Sequence, residues 1–153
     1  MKIGKVNGGP AIIVANFGPG TDGIGVAGVS VLLPDNTGGF LLSNTYPTPG
    51  ASIDVAVGDL LGDGGMDLVV ANLAPANTGS VTVWQHDSTQ PPGTAFVKRQ
   101  DYTALGQPLA VAIADLNGDT HPDIAIADGP SAGVLLQSTT VPGTFGPATQ
   151  VGF

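Results

Sequence analysis

The sequence predicts an all-β protein made of about three propeller blades, each a four-stranded antiparallel sheet. Composition is the first observation behind this prediction. The 153 residues include no glutamate and only four lysines and arginines, but 24 glycines and 13 prolines, a composition typical of turn-rich β-proteins rather than helical ones. The second observation is an internal repeat whose period is close to the length expected for one four-stranded blade.

The repeat is visible in three related and equally spaced segments. AIIVANFG begins at Ala11, DLVVANLA at Asp67 and DIAIADGP at Asp123. In the third copy the phase slips after the second strand, because the loop there is shorter. The predicted division of the chain is blade 1 at residues 1–52, blade 2 at 53–107 and blade 3 at 108–153.

One period contains four predicted strands. Residues 54–59 and 79–85 alternate apolar and polar side chains, whereas 67–72 form a nearly continuous apolar run, as expected for a strand buried on both faces. Residues 95–102 are the most polar and are predicted to be the edge strand. Glycine, proline and asparagine cluster between these segments.

The first blade is predicted to be incomplete. Its second, third and fourth strands are predicted at 11–16, 26–33 and 39–46, and the residues before Ala11 leave room for little more than a stub of the inner strand. The third copy ends at Phe153, within its fourth strand. About eleven strands make nearly three blades, whereas propellers usually close with about four to eight. We therefore expect a partial propeller, or one that is completed by oligomerisation or by neighbouring blades of a longer chain.

A cluster of acidic side chains stands out in DLNGDTHPD, residues 115–123. Side-chain oxygens fall at positions 1, 3, 5 and 9 of this segment: Asp115, Asn117, Asp119 and Asp123. Three carboxylates at such short range repel one another unless a cation lies among them. Oxygen-only ligands suit Ca²⁺, which takes six to eight of them at about 2.3–2.6 Å. Gly118 permits a tight turn, and the backbone carbonyl of His121 at position 7 is a further predicted ligand.

The other two copies carry weaker versions of this cluster. In DLLGDGGMD, residues 59–67, the acids are kept but Leu61 occupies position 3, so weaker binding is predicted. The predicted ligands of this second site are Asp59, Asp63, Asp67 and the carbonyl of Gly65. The first copy, IGKVNGGPA at residues 3–11, retains only Asn7, and no site is predicted there.

Two other structures also have acidic segments with similar spacing. Asx-rich turns that cap strands without any metal are one alternative, but six of the twelve aspartates fall at equivalent positions of two repeats, which favours metal binding. An EF-hand or dockerin loop is the other, and it needs an acid at position 12 and a following helix. Ile126 and Val70 occupy that position here, both within predicted strands.

These segments resemble a known family. VAVGDLLGDGGMDLVVAN and VAIADLNGDTHPDIAIAD are similar to the FG-GAP/VCBS repeats of integrin-α-type β-propellers, whose blades carry a D-x-[DN]-x-D-G-x-x-D calcium loop between their first and second strands. PGTAF and PGTF resemble the turn before the last strand of bacterial VCBS-type repeats. Thr120 departs from the pattern's usual glycine. The resemblance implies Ca²⁺ binding, an extracellular or cell-surface location, and a role in adhesion or ligand binding.

Several function classes are disfavoured by composition and motifs. A net charge of −8 repels nucleic acid, and the one basic pair, Lys98-Arg99, is predicted to be a solvated edge. The chain has no cysteine for disulfides or thiolate metal sites and no apolar stretch long enough to span a membrane. The GIGVAG segment at 23–28 matches a dinucleotide motif, but a strand follows it where a helix is required.

We therefore expect a non-catalytic calcium-binding repeat module that serves extracellular adhesion, protein–protein interaction or self-assembly. Its expected partner is a further copy of itself or the neighbouring blades of a longer chain. A lectin-like propeller is an alternative, with Tyr46, Trp84 and Tyr102 stacking on sugars unless they pack between blades. A fragment of a propeller hydrolase or lyase is less favoured, because the predicted inner strands are small and apolar. The two histidines, His86 and His121, are not predicted to be catalytic.

Overall fold

The computed structural model describes residues 1–18, 27–74 and 79–152, with the side chains of Lys98 and Arg99 left aside. Within these residues the chain forms twelve strands in three antiparallel sheets, and a single turn of 3-10 helix at Pro92–Thr94. The described residues contain no α-helix. The all-β prediction is therefore confirmed.

Each sheet has four strands that follow one another in the chain and in space. Sheet 1 contains β1 (Lys2–Val6), β2 (Gly9–Asn16), β3 (Gly28–Pro34) and β4 (Phe40–Pro47). Sheet 2 contains β5 (Ala51–Gly58), β6 (Asp67–Leu73), β7 (Ser80–His86) and β8 (Phe96–Thr103). Sheet 3 contains β9 (Ala110–Ala114), β10 (Asp123–Asp128), β11 (Ser131–Leu135) and β12 (Thr149–Val151). The three sheets resemble the blades of a partial propeller, and the described residues form no closed barrel.

The first sheet is complete, so the prediction of an incomplete first blade was wrong. β1 pairs with β2 along its whole length, from Lys2 opposite Ile13 to Val6 opposite Gly9. A two-residue turn of Asn7 and Gly8 joins them, with φ angles of 49° and 79°, as in the type I′ turns that suit the twist of a hairpin. The sequence pattern did not predict this strand because it is short and carries two lysines, which hide its alternation.

The middle sheet is buried on both faces. In β6, Leu68 and Val70 pack in one core with sheet 1, whereas Val69 and Ala71 pack in a second core with sheet 3. All four side chains are fully buried. Since successive residues of a strand point to opposite faces, the continuous apolar run predicted for this segment serves two interfaces at once, and that prediction is confirmed.

The two sheet–sheet interfaces are built alike. Gly4 in sheet 1 and Gly58 in sheet 2 occupy equivalent positions, and each lies against a branched side chain of the next sheet. A Cβ added at Gly4 would lie 3.1 Å from Val57, and one added at Gly58 would lie 3.1 Å from Ile113. Val57 and Ile113 are themselves one repeat period apart, so the repeat extends to the contacts between sheets.

Aromatic rings fill the outer parts of these interfaces. Tyr46 of sheet 1 packs edge-on against Trp84 and Phe96 of sheet 2, with ring centroids 5.2 and 5.3 Å apart. Tyr102 makes the equivalent contact with Phe145, at 5.5 Å. Tyr46, Trp84 and Tyr102 are all buried, so they pack between blades and are not available to stack on a sugar ring.

Candidate functional site

Two eight-residue loops join the first and second strands of sheets 2 and 3. Loop A, residues 59–66, connects β5 to β6, and loop B, residues 115–122, connects β9 to β10. The residue at position 9 of each pattern, Asp67 or Asp123, begins the second strand. Sheet 1 has its two-residue turn at the same place and therefore has no loop of this kind.

The carboxylate at position 1 organises the backbone of both loops. In loop A, Asp59 accepts hydrogen bonds from the N–H groups of Gly62 at 2.7 Å and Gly64 at 2.9 Å. The same bonds in loop B run to Asp115 from Gly118 at 2.7 Å and from Thr120 at 2.9 Å. All four donor residues have positive φ angles, between 70° and 83°. The two loops therefore share one backbone frame although their sequences differ at positions 3, 6, 7 and 8.

The carboxylate at position 5 also accepts an equivalent backbone hydrogen bond in both loops, whereas the residue at position 3 differs between them. Asp63 accepts the N–H of Gly65, and Asp119 accepts the N–H of His121, both at 2.8 Å. In loop B the amide of Asn117 also accepts the N–H of Asp119 and donates to its carboxylate, each at 2.9 Å. Loop A has a leucine at position 3 and lacks this additional polar group.

The carboxylate at position 9 is buried and ties each loop to the third strand of its sheet. Asp67 accepts the N–H of Leu60 through one oxygen and the N–H of His86 through the other, both at 2.8 Å. The equivalent donors to Asp123 are Leu116 at 3.0 Å and Gln137 at 2.8 Å. Position 9 is therefore part of the fold as well as a predicted ligand.

Burial changes the titration of Asp67. The pKa of Asp67 is raised to about 6, mainly by desolvation. The charges of Asp63 and Asp59 contribute to this rise, and the hydrogen bonds from His86 and Leu60 partly offset it. The partly exposed Asp119 shows the opposite behaviour. Hydrogen bonds from the His121 N–H and from Asn117 lower its pKa below the ordinary value.

The roles of His86, the last residue of β7, and Gln137, two residues after the end of β11, were not predicted from the sequence. Besides its backbone contact with Asp123, Gln137 donates to the carbonyl of Pro122 at 2.6 Å and accepts the N–H of Gly143 at 2.5 Å. His86 lies 2.7 Å from the Asn7 side-chain oxygen. Only their positions in the repeat could have indicated this role. Both residues lie at or just after the end of the third strand, and they occupy equivalent positions when the shorter loop of the third copy is allowed for.

The donor set of the loops has the chemistry of a site for a hard cation. Carboxylate and amide oxygens at positions 1, 3, 5 and 9 are the groups that Ca²⁺ prefers, and the exposed or partly exposed positions 1, 3 and 5 lie at the loop surface. Among the described residues no three acidic or histidine side chains converge closely enough to hold a metal. Their oxygens accept loop N–H groups instead, and the metal ligands stay a prediction.

Other sequence features contribute nothing to a site in the described residues. The glycine-rich segment at 23–28 lies mostly outside them, as do the side chains of Lys98 and Arg99. His121 places its ring nitrogen 3.1 Å from the carbonyl of Asp119 within loop B. The described residues contain no helix long and apolar enough to cross a membrane.

Comparison with known families gives the decisive observation. The family model of the FG-GAP-like repeat matches residues 59–126. This stretch starts at position 1 of loop A, includes most of sheet 2 and all of loop B, and ends within β10.

Residues 59–126 are similar to the FG-GAP-like repeat.

The resemblance predicted from sequence is thus confirmed for the part of the chain that contains both acidic loops. An FG-GAP-like repeat indicates a protein-interaction repeat module. No curated protein matches the chain.

Proposed function

We propose that this chain is a non-catalytic, calcium-stabilised repeat module that presents a protein-interaction surface outside the cell. The observation that carries the proposal is the shared frame of loops A and B. Two segments of different sequence place carboxylates at positions 1, 5 and 9 of the same backbone turn and give them matching hydrogen bonds.

Charge density supports a cation at these loops. Six of the twelve aspartates of a chain with net charge −8 lie in the two patterns. Backbone N–H groups offset this charge only in part, because each carries a small partial charge, whereas a divalent ion neutralises two carboxylates outright. In loop B the ligands would be Asp115, Asn117, Asp119, Asp123 and the carbonyl of His121. In loop A they would be Asp59, Asp63, Asp67 and the carbonyl of Gly65.

An extracellular setting suits this ligand set. Neither loop has a bidentate glutamate at position 12, and loop A has one polar ligand fewer than loop B. Extracellular calcium modules bind Ca²⁺ with dissociation constants of about 10⁻⁴–10⁻³ M. Loops with few ligands and weak calcium affinity are therefore sufficient outside the cell. When bound, calcium would neutralise the negative charge of the loops. The interaction surface itself is made by the protein's residues.

A reciprocal exchange at position 3 tests the metal assignment. Asn117→Leu gives loop B the residue of loop A, and Leu61→Asn does the converse. Calorimetric titration of the wild-type chain with Ca²⁺ should resolve two unequal sites. Asn117→Leu should weaken the tighter site by about tenfold, or about 1.4 kcal/mol, and Leu61→Asn should strengthen the weaker one by a similar amount.

Leu109→Asn is the matched control, because this leucine is half exposed and lies outside both loops. Its titration should match that of the wild type. Absence of calcium binding by the wild-type chain would overturn the proposal. Two identical sites, unaffected by either exchange, would show that the metal does not bind where the ligands are assigned.

A further inference from the structure

Each sheet of this chain has two faces with different roles in the sheet–sheet interfaces. We define the forward face as the one that packs on the following sheet and the back face as the one that packs on the preceding sheet. On sheet 2 the forward face includes Ala56, Leu60, Val69, Ala71, Val81 and Val83. These six residues are at most 7% exposed, because sheet 3 covers them.

The forward face of sheet 3 repeats this surface, but no sheet of the described part of the chain covers it. Its equivalent residues, given by the repeat and the strand register, are Ala112, Leu116, Ala125, Ala127, Ala132 and Val134. All are apolar and all are partly or fully exposed; Leu116 is 45% exposed where Leu60 is 2%. A shallow apolar depression of about 240 Å³ lies on this face, lined by alanines of β9, β10 and β11.

The back face of sheet 1 is uncovered in the same way. In sheet 2 the back face includes Val57, Leu68, Val70, Trp84 and Phe96. The register places Ile3, Ile12, Val14, Leu32 and Phe40 at the equivalent positions of sheet 1. Ile3 is 80% exposed and Phe40 is 42% exposed, and the neighbouring Leu42 is 47% exposed. Exposed apolar surface of this kind marks an interaction site.

We propose that the partner of both faces is a second copy of this chain, docked head-to-tail so that the forward face of sheet 3 covers the back face of sheet 1 of the other copy. The two internal interfaces show that this chain's forward and back faces fit each other. The free pair keeps the same polarity, with alanines on the forward face and larger Ile, Leu and Phe side chains on the back face.

Two copies of the chain supply a number of blades that can close into a propeller ring. Two chains of three sheets give six blades, within the usual range of about four to eight, whereas three chains give nine and one chain gives three. A head-to-tail interface that closes makes a ring with no free face left. The assembly does not require calcium, because no predicted ligand is among the residues of either face, although Leu116 of the forward face lies in loop B.

The net charge of the chain predicts how formation of this dimer depends on ionic strength. Each copy carries a net charge of −8, so two copies repel each other at long range, while the docking faces described here are apolar. Added salt screens that repulsion. Association should therefore strengthen as ionic strength rises, the opposite of an interface held by ion pairs.

Aspartate substitutions on each face test the proposal. Light scattering of the full chain should give the mass of two 15.1 kDa copies. Ala127→Asp on the forward face and Ile12→Asp on the back face should each give monomers alone. Phe40→Asp is a second back-face variant at an exposed position, and Thr139→Asp, on an exposed loop away from both faces, should leave the dimer unchanged.

Mixing distinguishes this interface from any other. Ala127→Asp leaves the back face unchanged, and Ile12→Asp leaves the forward face unchanged. An equimolar mixture of the two variants should therefore form a dimer joined by one interface, although each variant alone is monomeric. A monomeric wild type overturns the proposal and indicates that blades of a longer chain cover these faces. A mass well above two copies overturns the ring. A wild-type dimer that neither face variant disrupts places the contact elsewhere and also overturns it.

Discussion

At the scale of single residues, Thr120 is the clearest point of strain. It has a φ of 72°, at the loop B position where loop A has Gly64 with a φ of 83°. A β-branched residue is disfavoured in this left-handed region. Thr120→Gly should therefore raise the free energy of unfolding by about 1 kcal/mol, measured by urea denaturation. Gly64→Thr should lower it by a similar amount, and equal stabilities in all three proteins would contradict this account of the loops.

Asp67 predicts a specific pH dependence in calcium-free buffer. Burial raises its pKa from 3.8 to about 6, so the folded state binds more protons than the unfolded state between about pH 4 and pH 6. Stability in EGTA should therefore fall as pH rises through this window, by an amount on the order of 2 kcal/mol. Chemical denaturation at several pH values measures the slope.

The same experiment has two internal controls. Asp35, Asp87 and Asp119 have lowered pKa values, so their contribution is lost only as pH falls below their ordinary value of 3.8, outside the window. Calcium should remove the slope, because it binds the ionised carboxylate and competes with the proton. Stability that stays level or rises from pH 4 to pH 6 in EGTA would contradict a raised pKa for Asp67.

At the scale of elements, the turn of Asn7 and Gly8 determines whether the first blade is complete. Gly8 has a φ of 79°, and Gly8→Ala should cost about 1 kcal/mol of stability because an L-residue there is strained. Gly9→Ala is the matched control, since Gly9 does not have positive φ and its added Cβ would meet only the Val6 carbonyl at 3.6 Å. Urea denaturation in which the two variants lose the same stability would contradict this role for the turn.

The strands with strong apolar patterns were predictable from sequence. The repeat located β2, β6 and β10, and the unbroken apolar run predicted that β6 is buried on both faces, as Leu68 and Val69 show. β1 was not predicted, because Lys2 and Lys5 interrupt its pattern. Its Asn-Gly turn was nevertheless a strong hairpin signal in the sequence.

The candidate site was predictable only as a set of polar positions. Spacing along the chain identified the carboxylates of both loops, because alternate residues of a tight turn can share a face. It could not identify His86 and Gln137, whose backbone N–H groups hold Asp67 and Asp123. Those contacts depend on the return of the third strand beside the loop, a tertiary arrangement that local spacing does not encode.

At the scale of the whole molecule, stability is shared between apolar interfaces and polar loops. Sheet 2 holds the chain together because both its faces are covered. Loops A and B each join the first two strands of a sheet, and they concentrate negative charge there. A cation that binds these loops should stabilise the entire fold, because both loops join strands of the sheets that form the second core.

Thermal unfolding of the chain in calcium, magnesium or EGTA tests the central claim most directly. A ligand that binds only the folded state at about 100 times its dissociation constant stabilises it by about 2.7 kcal/mol, which raises Tm by about 5–10 °C for a chain of this size. We expect that rise in Ca²⁺, little rise in Mg²⁺, which needs strict octahedral geometry, and full reversal by EGTA. Unfolding curves that coincide in all three buffers would contradict a calcium-stabilised module.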